Sequence, residues 1–549
     1  MKGFGRTSLV MPLALFRRSN ALTVSKRSLM LVAFRGRSRH TSGFQPPDTF
    51  DLAAQELIAS ASEGAGTREQ RLHLRPTEGS DVFRWIQSSL RNTELAEAAS
   101  RCVLLHGLFE VWGHGRNGAE AVEDASTSRR FTPPGEDTSW SLGVTSYGRS
   151  GLTKAEERLL VGGPPLVLTF RHSFMISERI ESLDSDVRIR IIEDTCPPAA
   201  RNLPEDVRIV EATAKRERRF YICRELQVGA AVGKGGTAIA TGCGRRPIRG
   251  VLGTLALKQR RCRGPTAIEP EVALVMANLA KVRPESKVLD PFCGSCSLLL
   301  PAASMGAKTW GSDVRGPATA AVWDNADCLE MGTVRGVTNK IPLQPDRKDL
   351  GKIYRDYEAL GLAPPTLGAA DVRDQKSFVR KAGFFDAIVT DPPYNIKAKV
   401  VNVNQRQSTS FTQDEGGSTL TVALTDSRRQ KGDDSHEEKL SAWQAGDGAK
   451  AEASANSLVG DVISSLISLA RYALKPGGRL SFFLPLRGAE ARLDRLPIAL
   501  LDKLSEGAGD ARLAVVYTTK QRMTSDNMCR WLIVLEKETG IPRGFAPMA

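Results

Sequence analysis

Asp391-Pro392-Pro393-Tyr394 is the segment of this 549-residue chain whose residue types most narrowly define a chemistry. It closes the apolar run FDAIVTD, which reads as a buried strand, so the tetrad falls at the carboxyl edge of a sheet, where open α/β folds bind ligands. An exocyclic amine on a nucleic-acid base is a poor nucleophile, because its lone pair is delocalised into the ring. Hydrogen bonds from that amine to the Asp391 carboxylate and to a nearby backbone carbonyl would favour a pyramidal nitrogen with its lone pair aimed at an electrophile. Pro392 and Pro393 stiffen the loop that holds these acceptors. Tyr394 can stack on the base, which is typically worth about 1–3 kcal/mol. The plainer alternative is a proline-rich turn at a strand end.

Upstream, Val288-Leu289-Asp290 runs into Pro291-Phe292-Cys293-Gly294-Ser295-Cys296-Ser297 and then into LLLPAASMGA. An apolar strand, a turn of small residues and a helix let backbone N–H groups approach a ligand closely, with Gly294 at the crest. Twenty-three residues after Asp290, Asp313 ends the strand TWGSD, where such folds place an acid for ribose hydroxyls. Asp371, in AADVRD, occupies a third strand end, suited to the adenine side of a cofactor or equally to an ordinary loop acid. Read together and in this order, these residues suit methyl transfer from S-adenosylmethionine to a base amine.

The elements that must position them alternate helix and strand past residue 250, as a parallel α/β sheet requires. Strands are expected at KVLD, KTWGSD, FDAIVTD, GRLSFFLPL, LAVVYTT and RWLIVLEK, with an antiparallel edge formed by the last two. IEPEVALVMANLAK reads as a helix with Ile268, Val272, Val275, Met276 and Leu279 on one face. DVISSLISLARYALKPGG reads as another, with Val462, Leu466, Leu469 and Ala473 as its stripe and Pro-Gly-Gly as its stop. Residues 402–450 are polar and Gly/Ser-rich, and read as a disordered insertion.

The region 48–235 reads as a separate α+β unit. RCVLLHGLFEVWGHG carries Val103, Leu104, Gly107, Leu108 and Val111 at helical spacing, ended by Gly113 and Gly115. Val187, Ile189 and Ile191 alternate with Arg188 and Arg190, as in a strand, and RFYICREL follows. From Lys215 to Arg263 there are thirteen Lys and Arg against two Glu, interleaved with Phe220 and Tyr221; this fits a surface tracking phosphates or a solvated sheet face. The stretch GAAVGKGGTAIATGCGRRPIRG reads as the linker to the second half.

A net charge of +14 favours a polyanionic partner, although nine of those positive charges lie in residues 1–47, which contain no acid. That leader resembles an organellar transit peptide, with an unstructured extension or an upstream start before Met30 as alternatives. Nine scattered cysteines fit a reducing compartment. Cys293 and Cys296 form a lone CxxC without a second pair, which argues against a structural metal. No apolar run reaches membrane-spanning length.

With those residues in view, the chain resembles the tRNA guanosine-10 N2-methyltransferase family. LALKQRRCRGPTAIEPEVALVMANLAKVRPESKVLDPFCGSCSLL is similar to that family's lead-in helix and cofactor loop, and SSLISLARYALKPGGRLSFFLPL to its late helix and strand. SRCVLLHGLFEVWGHG and TSWSLGVTSYGRS are similar to its N-terminal region. The resemblance implies a Rossmann-like methyltransferase domain over 250–540, preceded by a THUMP-containing RNA-binding region. It also implies tRNA as substrate, a small zinc-binding activator subunit as partner, and the cytoplasm as location, against which the leader suggests a mitochondrion or plastid. By matching motif, Asp290, Gly294 and Asp313 would contact S-adenosylmethionine, while Thr266 and Glu269 would close over its methionine end. Cys296 departs from the family by standing where glycine is usual, and Asn395 does so after the tetrad. Adenine N6 methylation and an inactive tRNA-binding relative are the rival readings.

Overall fold

A computed structural model describes residues 29–34, 44, 48–62, 72–77, 82–127, 130, 140–147, 187–195, 218–228, 251–264, 267–313, 347–368, 370–373, 379, 381–393, 448–505, 512–523 and 528–538. Residues 1–28, nearly all of the 402–450 insertion, the 229–250 linker, Thr266, Tyr394 and Asn395 lie outside the described residues.

Two seven-stranded sheets organise the chain. The first contains β1 (Leu29–Phe34), β2 (Leu72–Pro76), β3 (Phe83–Ser88), β4 (Leu105–Gly115), β5 (Trp140–Tyr147), β6 (Val187–Asp194) and β7 (Arg219–Val228), in the order β2-β3-β1-β4-β7-β6-β5. All neighbours pair antiparallel except β5 and β6, which run parallel. β1 corrects the reading of residues 1–47 as leader throughout and agrees with the alternative in which the fold begins near Met30. LMLVAF is six consecutive apolar residues, hydrogen-bonded to β3 on one side and β4 on the other, and Leu31 to Phe34 are fully buried. Phe44 is buried as well and bridges to Gln521.

β4 also departs from the sequence reading, which expects a helix there. Its apolar residues serve both faces of the sheet: Leu108 packs with β1 on one side, while Phe109 and Val111 pack with Tyr221 on the other. A strand buried on both faces loses its period of two, so spacing alone cannot separate it from a helix. Gly113 and Gly115 do not stop a helix; they admit one. α3 (Gly118–Thr127), the helix that follows α2 (Asn92–Arg101) in the chain, lies so close that a Cβ on Gly113 would sit 2.1 Å from the Ala121 carbonyl oxygen. Gly113→Ala should therefore destabilise the protein by about 1–3 kcal/mol or more, as overpacking against backbone does. A denaturant midpoint within a few tenths of a molar of the native chain would contradict that packing.

The second sheet contains β8 (Lys287–Asp290), β9 (Lys308–Ser312), β10 (Thr366–Gly368), β11 (Phe385–Thr390), β12 (Leu474–Arg487), β13 (Leu513–Arg522) and β14 (Met528–Lys537), in the order β10-β9-β8-β11-β12-β14-β13. β10, β9, β8, β11 and β12 are parallel, and β14 runs antiparallel between β12 and β13. This is the Rossmann-like sheet with its antiparallel edge that the sequence leads one to expect. Chain order reverses at β8: β9 and β10 extend to one side, β11 and β12 to the other. Such a switch point opens a crevice at the carboxyl ends of the two central strands.

Helices cover both faces. α4 (Pro270–Leu279), α5 (Leu299–Ser304) and α6 (Arg347–Ala359) pack on one side; α7 (Gly448–Ala473) and α8 (Ile498–Ser505) pack on the other. α7 is two helical stretches, divided at Gly460 by a φ of +54°. α4 was expected to bury one face, yet every one of its residues is buried. The reason is α1 (Asp48–Ala61), which lies against its outer side, so that Leu52, Leu57, Val272 and Leu279 belong to one apolar core shared by both sheets.

Polar bonds fix this joint. Glu56, at 0% exposure, accepts hydrogen bonds from the Val103 and Leu104 backbone N–H groups at 2.9 Å each and from Asn278 Nδ2 of α4 at 2.7 Å. Arg283 Nη2 donates to the carbonyls of Ala59, Ser60 and Ser62, capping the end of α1 from the methyltransferase side.

Candidate active site

The crevice at the β8/β11 switch point gathers three of the carboxylates singled out from sequence. Asp290 ends β8 and is 2% exposed. Its Oδ1 accepts the Phe292 backbone N–H at 3.0 Å and the Thr390 hydroxyl at 2.6 Å. Thr390 is the last residue of β11, so this bond joins the ends of the two central strands and sets Asp391 beside Asp290. Burial pushes the Asp290 carboxyl up to about 7; its two hydrogen bonds pull the other way, and the charges of Asp313 and Asp391 add to the rise.

The loop after β8 is held from below by Cys293 N–H donating to the Ser312 carbonyl at 2.9 Å, and by Gly294 N–H donating to Asp313 Oδ2 at 3.1 Å. Asp313 thus reaches the loop from the end of β9, as its spacing predicts. Gly294 has a φ of +46°, and a Cβ built there would meet nothing within 4 Å. The loop crest therefore borders open space, with Asp290 and Asp313 at its flanks.

Cys296 follows at a φ of +59°, a conformation that costs a residue with a Cβ roughly 1–2 kcal/mol. It is nevertheless fully buried, hydrogen-bonded to Cys293 and packed in the core that holds Tyr357. The left-handed backbone at this position is accommodated with the thiol buried beneath the loop.

Glu269 caps the start of α4 with extended backbone, and its neighbour Ile268 donates its N–H to Ser297 Oγ at 3.2 Å, which ties the lead-in segment to the loop. Arg260 adds a second tie, donating to the Ser295 carbonyl at 2.5 Å. Asp371 follows the end of β10, but both of its oxygens engage Arg373, whose guanidinium and backbone N–H together hold the carboxyl below its usual range against the effect of burial. That geometry marks Asp371 as a loop acid more than a ligand contact.

Asp391, Pro392 and Pro393 lead out of β11, with Pro392 buried and its neighbours half-buried. Arg530 of β14, which no motif marked, places Nη1 3.8 Å from Asp391 Oδ2. Thr390 and Arg530 are the two site residues that sequence reasoning missed. A hydroxyl directly before the tetrad and an arginine inside the apolar strand MCRWLIVLEK were the available signs. Among the described residues, no cluster of metal-ligating side chains occurs, and no helix is long and apolar enough to cross a membrane.

A parallel sheet with this switch point, a small-residue loop on its first strand and acids on the neighbouring strand ends define a Rossmann-like methyltransferase domain. In keeping with that class, residues 258–350 match the family described as "RMKL-like, methyltransferase domain".

Along more of its length the chain is similar to tRNA (guanine(10)-N(2))-methyltransferases. It is 26% identical to TRMT11 of Xenopus laevis over 53% of this chain and 48% of that protein, and 25% identical to TRMT11 of Homo sapiens over 84% of this chain and 81% of that one. The Schizosaccharomyces pombe enzyme of the same name is 27% identical over 45% of this chain and 41% of its own. The matched stretch therefore spans about half of the Xenopus protein and 34% of the Dictyostelium discoideum one. TrmN from Thermus thermophilus aligns over 93% of this chain at 17% identity, with a TM-score of 0.33, too low for its architecture to carry an argument.

Proposed function

We propose that the chain transfers a methyl group from S-adenosylmethionine to the N2 amine of a guanosine in tRNA, at position 10. The observation that carries the reading is the 2.6 Å bond from Thr390 to Asp290, which sets the amine-accepting acid Asp391 directly beside the cofactor loop. The relatives' activity supplies the choice of base and position.

The residues fit the cofactor. Open space above Gly294, flanked by two carboxylates, suits a ligand with ribose hydroxyls and a protonated amine. When bound, S-adenosylmethionine supplies an electrophilic methyl on its sulfonium. Asp290, Gly294 and Asp313 would hold it, with Glu269 and Thr266 on the approach to α4. Asp391 would accept one N–H of the guanine amine, raising electron density on nitrogen in the direction of attack, and would take up the proton released after transfer. Pro392 and Pro393 hold that acceptor in place, and Tyr394 would stack on the base. In a paired stem the guanosine must first leave its stack. The N-terminal unit would grip the tRNA, and a small zinc-binding activator subunit would complete the enzyme in the cytoplasm.

Replacing the guanosine at position 10 by inosine removes only the N2 amine. Such a tRNA should accept no labelled methyl, whereas undiminished labelling would overturn the assignment. Thr390→Val should test the cofactor side. The substitution frees the Asp290 carboxyl from the end of β11, so calorimetry should show weaker S-adenosylmethionine binding; an unchanged Kd would show that this bond does not position the cofactor side.

A further inference from the structure

The proposed chemistry leaves an electrostatic problem. Asp391 must be ionised to accept an amine N–H, and it shares the crevice with two more carboxyls: its charge and that of Asp313 on β9 both disfavour ionisation of Asp290 on β8. From the far side, β14 presents the opposite charge. Arg530 pairs in register with Pro485 of β12 and Gln521 of β13, at the same sheet edge as Asp391. Its guanidinium is anchored twice: Nε donates to Gln521 Oε1 at 2.6 Å, and the group lies over the Phe483 ring, 3.8 Å from its centroid. Stacking on an aromatic face and a side-chain amide hold the charge where one rotamer alone would not. Nη1 then stands 3.8 Å from Asp391 Oδ2, outside hydrogen-bond range but well inside the reach of charge. Both side chains are about nine-tenths buried, at 11% and 12% exposure, so water screens the pair little.

We propose that Arg530, clamped by Gln521 and Phe483, is a positioning residue that keeps the Asp391 carboxylate ionised and aimed into the crevice without bonding it tightly enough to compete with the substrate amine. The inference rests on Asp391 being the amine's acceptor. An opposite charge at this distance favours the ionised carboxylate, so removing it should move the Asp391 midpoint upward.

The test uses the full chain labelled with 13C at the aspartate side-chain carboxyl carbons. The resonance that vanishes in Asp391→Asn is followed through pH in the native protein, in Arg530→Gln and in Arg530→Lys, together with single-turnover methyl transfer to unmodified tRNA. Arg530→Gln should raise the Asp391 midpoint, and should slow transfer progressively more as pH falls toward that midpoint than it does near pH 8.5. KM for tRNA should change less than twofold, and Arg530→Lys should restore most of the midpoint. Gln521→Leu, which loosens the anchor without deleting the charge, should shift Asp391 in the same direction by less. A midpoint unmoved in both Arg530→Gln and Gln521→Leu overturns the proposal. A midpoint that moves as expected, while the native protein forms no N2-methylguanosine, upholds the coupling of Arg530 to Asp391 and overturns the tRNA reading instead.

Discussion

Asp391→Ala is expected to slow methyl transfer by on the order of 10²–10³-fold or more, the range seen when a preorganised acceptor or donor of the transition state is lost, while tRNA affinity stays within about twofold. The reasoning is local. Asp391 leaves β11 beside Asp290, and Pro392 and Pro393 restrict the backbone that carries it. Among the described residues, Asp391 is the carboxylate that stands at the end of β11. Its 12% exposure also means that deleting it disturbs little surface on which tRNA could rest. Transfer that survives within tenfold of the native rate would show that the amine is activated elsewhere.

The second large effect concerns stability. Glu56→Ala should destabilise the protein by about 3–5 kcal/mol, because the buried N–H groups of Val103 and Leu104 lose their acceptor and Asn278 loses one of its two. Burial raises the Glu56 carboxyl from 4.5 to about 7, chiefly by desolvation, opposed by the hydrogen bonds from Val103, Leu104 and Asn278. A carboxyl raised in the folded state binds its proton more tightly there than in the unfolded chain. Its contribution is therefore fully present below about pH 4.5 and declines as pH rises through about 7. The stability difference between the native chain and Glu56→Ala should accordingly be larger at pH 5 than at pH 8. Denaturation curves at both values check this, and a difference that grows with pH would contradict the raised titration.

The second sheet was legible in the sequence because its strands are short, apolar and separated by helices with clear stops. KVLD, KTWGS and FDAIVT form β8, β9 and β11 where the patterns place them; α7 ends at Ala473, and the Pro-Gly-Gly expected to stop it lies inside β12. The placements of Asp290, Asp313 and Asp391 at strand ends were legible for the same reason: a strand end fixes an edge, and an edge fixes a crevice. Burial on two sides was harder to see. β4 looked helical because both of its faces are apolar, and α4 looked amphipathic although α1 covers its polar side, where Glu271 and Asn278 are both buried. β1 was hidden by its basic neighbours, since a charge count over 1–47 averages away six apolar residues. Arg530 lay beyond reach, because what makes it matter is a cross-strand arrangement with Gln521 and Phe483 that residue spacing does not encode.

The most direct measurement is mass spectrometry of nucleosides from unmodified tRNA incubated with the full chain and S-adenosylmethionine, with and without the proposed small zinc-binding activator subunit. The account predicts N2-methylguanosine, absent when Asp391→Ala replaces the native chain. N6-methyladenosine in its place, or tRNA bound but left without any new methyl group, would contradict it.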